Sequence, residues 1–433
     1  MSFLEELAAR RRFGMRPGLD SIRAVCAALG DPQKAFKAIH VAGTNGKGAV
    51  CAILDAALRA TSGTGGVERV MRIGRYTSPH LVKLNERFFL DGAPVDDMTL
   101  ERLAEKVSKV LVPHPSSLVP EPTFFEVLTA VAFLLYAEAK VDCAVLECGL
   151  GGRLDATNVC DPELCVITKV GLDHCDWLGD TVEKIAAEKA GIVKPGVPVV
   201  LGRNEPSVRA VVEARSRELG APFFYAPELA SEDEVPADFS LVGSFNRENA
   251  VTALAALKVL GGDRAVTQAQ ARSFARVVWP GRFQRVGSCL VDGAHNPPAA
   301  LALRKALEAE GLGQKTLDLV CGFCGDKDVD EVLSVLSPLV KRGHAVRTNN
   351  PRSLSAEETS AKMRAAGIDA VACGSLAEAL ERTGCRADDA GRTELRTLVC
   401  GSLFLAGEAL VALGACPWPA ARFDPSERLS AES

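Results

Sequence analysis

The first clues are what the chain does not contain. It has no long basic run, and its charged residues of both signs are interspersed to a net charge of −5. That argues against nucleic acid or an anionic membrane as its partner. No uninterrupted apolar run approaches the roughly 20 residues that a membrane span needs. The opening MSFLEELAARRRFGM lacks a positive start followed by an apolar stretch, so the expected location is cytoplasmic. The 14 cysteines show no framework spacing. Several (Cys143, Cys165, Cys289, Cys400) fall in apolar strand-like runs, where cysteine acts as a small buried hydrophobe. Cys321 and Cys324, in CGFC, imitate a redox dithiol, but no thioredoxin-sized unit precedes them. Internal repeats are also missing. What is present, 47% hydrophobic and 24% charged residues over 433 positions, suffices for a packed core in two or three domains.

The chain is organised around FKAIHVAGTNGKGAV, residues 36–50. An apolar strand breaks into a turn with Gly43, Gly46 and Gly48, and an apolar helical pattern resumes at Ala49. Glycines let backbone N–H groups approach phosphate oxygens, a helix N-terminus adds positive dipole, and Lys47 supplies a full charge. Gly43, Thr44, Asn45, Gly46, Lys47 and Gly48 are therefore candidate nucleotide-binding residues. The spacing differs from the common G-x-x-x-x-G-K-S/T, and glycines alone also suit a tight strand-to-helix turn. The lysine at the helix start favours the nucleotide.

Around this stretch, strands and helices alternate. Helices are expected over 2–12, 19–29, 97–112 and 123–139, and strands over 70–76, 142–147 and 164–170. The alternation continues to helices near 246–260 and 267–277. Trp279-Pro280-Gly281-Arg282 stops the last helix and reads as a linker. A second series follows, with strands over 286–292, 316–321, 344–348, 370–373 and 395–400. The pattern predicts an α/β protein of two domains. Residues 1–280 form a P-loop-type, mainly parallel sheet flanked by helices, and 284–416 a smaller Rossmann-like α/β domain; 417–433 reads as a frayed tail.

In parallel α/β sheets, ligands sit beyond the carboxyl ends of the strands. Polar motifs recur there: the glycine loop, Ser78 with His80, Glu147 with 149–155, and Asp173 with His174. A hydroxyl (Ser78), a carboxylate (Glu147) and an imidazole (His174) suit Mg²⁺ beside a triphosphate. Each also has a plainer reading. Ser78 before a proline is an ordinary turn residue, Glu147 has Arg153 as a nearby ion-pair candidate, and His174 suits a solvated loop. Lys189 at a helix end is explained by the dipole alone. Asp292 suits a ribose contact, but it and Asn296 equally suit the cap of the following helix.

Taken together, FGMRPGLDSIR, HVAGTNGKGAV, YTSPHLVKLNER, PTFFEVLTAVAF, ECGLGGRLDATN, GLDHCDWLGDTVEKIAAEKAGI, GRFQ, DGAHNP, DKD and GSLFLAGE span nearly the whole chain. In this order they resemble the folylpolyglutamate synthases of the Mur ligase superfamily, and among those the bacterial bifunctional dihydrofolate synthase/folylpolyglutamate synthases. The resemblance implies an ATP-dependent ligase that adds L-glutamate to dihydropteroate or to reduced folates through an acyl phosphate. A monofunctional folylpolyglutamate synthase, a peptidoglycan-precursor ligase and an inactive nucleotide-binding homologue are the alternatives.

Residue by residue, the resemblance implies that Lys47 and its loop hold the β- and γ-phosphates and that Ser78, Glu147 and His174 bind Mg²⁺. Lys189 matches a carbamylated lysine serving a second ion. Asn249, Arg282 and Asp292 would contact ATP, with His295 near the phosphates. Gly18, Leu19 and Asp20, Thr123 to Glu126 (with Phe124 and Phe125 between them), and Leu154, Asp155 and Ala156 match pterin-binding segments. Beyond these small molecules no nucleic acid or membrane partner is expected, and the expected state is a monomer. Three departures stand out. Ala49 replaces the usual Ser or Thr, Phe245 replaces a histidine, and residues 61–70 lengthen the loop before Ser78.

Overall fold

Short apolar runs ending in polar turns become the strands of two separate sheets in the computed structural model, which describes residues 18–60, 71–111, 121–262, 266–325, 327–385, 394–416 and 418. The helix expected over 2–12, the lengthened loop at 61–70 and the tail apart from Trp418 lie outside the described residues. The chain divides into a first unit (Met1–His80, Leu84–Ser240, Asn246–Val277) and a second (Leu81–Lys83, Leu241–Phe245, Val278–Ser433). Among the described residues no helix is long and apolar enough to cross a membrane.

The first unit's strands are β1 (Lys37–Ala42), β2 (Ile73–Tyr76), β3 (Phe88–Leu90), β4 (Ala93–Pro94), β5 (Cys143–Glu147), β6 (Pro162–Ile167), β7 (Val199–Leu201) and β8 (Phe223–Tyr225). They order as β4-β3-β2-β5-β1-β6-β7-β8. Among the described strands the pairs β2–β3 and β3–β4 are antiparallel, so β3 alone runs against the others. β5 is buried throughout and β1 from Ala38 onward, as befits parallel strands covered on both faces. Helix Lys47–Arg59 buries every residue from Gly48 to Leu58. Helix Phe124–Ala139 opens on a capping box in which Thr123 and Glu126 satisfy each other's backbone amides. The edge hairpin turns at Asp91-Gly92, with φ of 51° and 87°. Sequence reading passed over that Asp-Gly hairpin signal because strands of three and two residues show no alternation.

The second unit holds β9 (Gln284–Val286), β10 (Cys289–Val291), β11 (Leu317–Cys321), β12 (Val340–Ala345), β13 (Ala370–Ala372) and β14 (Thr397–Cys400). Their order is β13-β12-β11-β14-β10-β9, and all neighbours are parallel except β9 and β10. Two expectations need correction. The single strand expected over 286–292 is an antiparallel hairpin turning at Gly287, whose φ of 57° glycine adopts without strain. The strand expected over 344–348 instead occupies Val340–Ala345. The preceding helix ends at Leu336 and passes through a 3₁₀ turn at Ser337–Leu339 that contains Pro338, and the exposed Lys341 and Arg342 disguise an otherwise buried strand. None of the 14 cysteines is in a disulfide, and Cys321 and Cys324 are both buried.

Candidate active site

The strand order makes β2, β5, β1 and β6 consecutive neighbours, all parallel. Val41 pairs with Glu147, and Ala42 with Ile167. The four polar strand ends singled out from the sequence therefore lie side by side at one edge, where the chain leaves β1 for strands on either side. In open α/β sheets that is where ligands bind.

At the centre the glycine loop is held in shape by the segment after β6. Thr44 and Asn45 donate their amides to Lys169 O (2.8 and 3.2 Å). Thr44 Oγ1 donates to Gly171 O (3.0 Å) and accepts from Gly171 N (3.1 Å). Thr168 Oγ1 donates to Asn45 O (2.7 Å), and Asn204 in turn fixes Thr168 and Val170. Sequence reading missed Thr168 and Asn204; the available signal was a polar residue directly after an apolar strand. Two glycines are obligatory. A Cβ on Gly43 would lie 1.9 Å from Thr168 Oγ1, and one on Gly46 (φ 87°) would lie 2.2 Å from Asn249 Oδ1. Asn249 thus adjoins the loop. The helix begins at Lys47, two residues earlier than expected, and no side chain caps its N-terminus.

Two lysines converge on one carbonyl. Lys47 Nζ donates to Gly43 O (3.1 Å) and Thr44 O (3.3 Å), and Lys189 Nζ donates to Gly43 O (2.9 Å). Lys189 is 3% exposed. Burial, reinforced by the Lys47 charge, lowers its pKa to about 7. Dipole compensation at a helix end therefore does not account for Lys189. Glu147, 4% exposed, accepts the Ser78 amide at Oε2 (3.1 Å) and places Oε1 4.0 Å from Lys47 Nζ. The suggested Glu147–Arg153 pair does not form, because Arg153 binds Glu188 instead (2.9 Å). His80 is drawn into the core, where its Nδ1 accepts from Arg87 Nε (2.9 Å). His174 follows β6 with φ of 52°, its ring 3.8 Å from Asp173 Oδ1.

The chemistry of this donor set fits a nucleotide triphosphate and Mg²⁺. Two amines and an uncapped helix N-terminus suit phosphate oxygens. A buried carboxylate beside a seryl group suits a hard cation that keeps phosphate and water among its ligands. Among the described residues no three His, Cys, Asp or Glu side chains converge, so an all-protein cage is not the arrangement. Ala49 is buried and offers no hydroxyl.

The other segments are also placed. Phe125 packs on the Gly149 turn, where a Cβ would meet its ring at 2.6 Å, and lies 6.0 Å from the Tyr76 ring. Thr123 and Glu126 are engaged in their cap. Leu19 and Ala156 sit in the same core cluster with Phe124 packed against it, Gly18 (φ 150°) precedes Leu19, and Asp20 opens helix Asp20–Ala28. Leu154 is half-buried and Asp155 buried. In the second unit Asp292 accepts the amides of Phe283 (2.8 Å) and Ala294 (2.7 Å), while Asn296 alone caps the helix. Gly293 brings its backbone against Arg282, whose charge partly offsets the rise that burial causes in the Asp292 pKa. His295 Nδ1 lies 2.8 Å from Gly293 O. Phe245, at the position of the family's histidine, meets Phe283 edge-on at 6.1 Å.

This fold and this constellation define an ATP-dependent ligase of the Mur type, and residues 281–402 match the family described as Mur ligase, glutamate ligase domain. Over 379 residues the chain is 32% identical to the dihydrofolate synthase/folylpolyglutamate synthase of Bacillus subtilis, covering 81% of this chain and 85% of that one. Escherichia coli FolC in complex with DHPP and ADP superposes with a TM-score of 0.81 at 29% identity, over 96% of this chain and 98% of that one. A bifunctional folylpolyglutamate synthase/dihydrofolate synthase with Mn, AMPPNP and L-glutamate bound gives 0.80 at 28% identity, with the same coverage. The chain belongs to the dihydrofolate synthase/folylpolyglutamate synthase family.

Proposed function

We propose that the enzyme joins L-glutamate to dihydropteroate and to the γ-carboxyl of reduced folates, consuming ATP. The substrate carboxylate attacks the γ-phosphorus and ADP leaves. The glutamate amine then attacks the acyl phosphate carbon, loses a proton and expels phosphate. Such a sequence between anions needs positioning and charge neutralisation more than covalent help from the protein. The observation that carries this reading is the pair of lysine amines on Gly43 O with the Ser78–Glu147 contact at the next strand ends.

Lys47 and its loop, through the helix N-terminus that Lys47 opens, hold the β- and γ-phosphates. Ser78, Glu147 and His174 hold Mg²⁺, which when bound neutralises phosphate charge. Lys189, desolvated and beside a second amine, reacts as the neutral amine with CO₂ to give a carbamate and a proton, which turns a cation into an oxygen donor for a second ion. Asn249, Arg282 and Asp292 contact ATP, and His295 lies near its phosphates. The 18–20, 123–126 and 154–156 segments receive the pterin. The enzyme works as a cytoplasmic monomer.

ADP release is measured with dihydropteroate, a tetrahydrofolate or a UDP-muramoyl acceptor, each with L-glutamate and Mg²⁺. Activity with the first two is expected; activity with the third alone overturns the reading. Activity with the second but not the first assigns a monofunctional folylpolyglutamate synthase. Because Ala49 removes the loop hydroxyl, an inactive homologue is the competing reading, and ATP binding without ADP release under any acceptor establishes it.

A further inference from the structure

One buried polar chain links the strand that carries the glycine loop to the segment assigned to the pterin. His40, midway along β1, is fully buried. Its Nε2 lies 2.8 Å from Thr157 Oγ1 and 3.0 Å from Cys148 Sγ. Thr157 Oγ1 in turn donates to Asp155 Oδ1, which also accepts the Thr157 amide (3.0 Å). Asp155 Oδ2 accepts the Leu150 amide (2.9 Å), so this one carboxylate closes the turn 150–157 on itself.

The protons can be assigned by elimination. Burial raises the Asp155 pKa, while the Thr157 hydroxyl and the Leu150 and Thr157 amides counteract that rise. Held as a carboxylate it only accepts, so the single Thr157 hydroxyl proton points to Asp155 rather than to Cys148 Sγ, 3.7 Å away. Thr157 Oγ1 must then accept from His40, which places the ring proton on Nε2. Nδ1 is left as a bare lone pair, and it has no hydrogen-bond partner among the described residues. An acceptor left unpaired is the cheaper of the two possible defects. The tautomer, the hydroxyl and the carboxylate therefore fix one another.

We propose that His40 is a positioning residue for the pterin-contacting segment, acting through Thr157 to orient Asp155. The inference rests on the assignment of 154–156 to the pterin. It adds that β1, a central strand carrying the phosphate loop at its end, also sets the orientation of the neighbouring acceptor-binding turn.

Steady-state kinetics of the full-length enzyme, with dihydropteroate, ATP and L-glutamate varied in turn, test this. His40→Leu and Thr157→Val are each expected to raise KM for dihydropteroate about tenfold or more, as loss of a buried hydrogen bond to a charged chain should. KM for ATP stays at its wild-type value. His40→Gln, which keeps an N–H near the Nε2 position, restores most of the lost affinity. The double variant His40→Leu/Thr157→Val is no worse than the worse single one, because both break the same chain. An unchanged dihydropteroate KM in Thr157→Val, or no rescue by His40→Gln, overturns the inference. If His40→Leu does not fold, these two variants decide alone. Asp155→Asn separates the layers. If it raises KM while Thr157→Val does not, the His40 inference alone fails; if it leaves KM unchanged, the pterin assignment fails and takes the inference with it.

Discussion

Lys189 and His40 show how burial turns ordinary side chains into specialised ones, and the half-buried Ser78 shows how position does. The Lys189 amine is desolvated on Gly43 O, beside a second positive charge, and no surface lysine would be held toward neutrality in that way. Lys189→Ala is expected to lower kcat by about two orders of magnitude or more, the usual cost of removing an electrostatic contributor at a phosphoryl-transfer site. Added bicarbonate does not restore it, since no amine remains to carboxylate. Near-normal turnover in that variant contradicts the carbamate role. Because position 49 supplies no hydroxyl, Ser78→Ala should raise the Mg²⁺ concentration for half-maximal activity about tenfold. An Mg²⁺ titration at fixed ATP reads this directly.

His40 leaves a signature in stability. Burial lowers its pKa from 6.5 to about 3. Between those values the unfolded chain takes up a proton that the folded chain refuses, so stability falls as pH drops through that window, by at most about 1.4 kcal/mol per pH unit. Above the unfolded value neither state is protonated and the contribution is constant. Denaturant titrations of the wild type and His40→Gln should run parallel above pH 6.5, with the wild type losing ground to the variant below it. Curves that stay parallel into acid contradict a buried neutral ring.

At the scale of elements, the glycine loop depends on two neighbours for its shape. Gly46 combines φ of 87° with an approach to Asn249 that leaves no room for a methyl group. Gly46→Ala should therefore weaken ADP binding, read by calorimetry, by about tenfold or more through strain and displacement of Asn249. Most elements were legible because their pattern is local: the apolar run into Gly43, the strongly apolar stretch 123–139, and the helical spacing of Leu100, Leu103 and Val107. The misses have physical causes. β3 and β4 are too short to alternate, and β12 hides behind Lys341 and Arg342. The split of 286–292 into a hairpin turns on Gly287 alone, which a run reading RVGSCLV does not separate from a bulge. In the site, Ser78 and Glu147 were legible as strand-end residues. The lysine pair on Gly43 O and the Asp155–Thr157–His40 chain were not, because they join positions more than 100 residues apart.

At the scale of the molecule, each unit has its own sheet and its own buried clusters. The first carries the loop, the metal-binding candidates and the 154–156 segment; the second carries Arg282, Asp292 and His295. The central claim is that the first unit's loop directs phosphate onto a substrate carboxylate. Dihydropteroate labelled with ¹⁸O in both carboxylate oxygens, turned over with ATP, L-glutamate and Mg²⁺, tests it most directly by mass spectrometry of the products. An acyl phosphate sends one labelled oxygen into inorganic phosphate and leaves the other in the new amide. Unlabelled phosphate released in step with the glutamylated product would contradict the account.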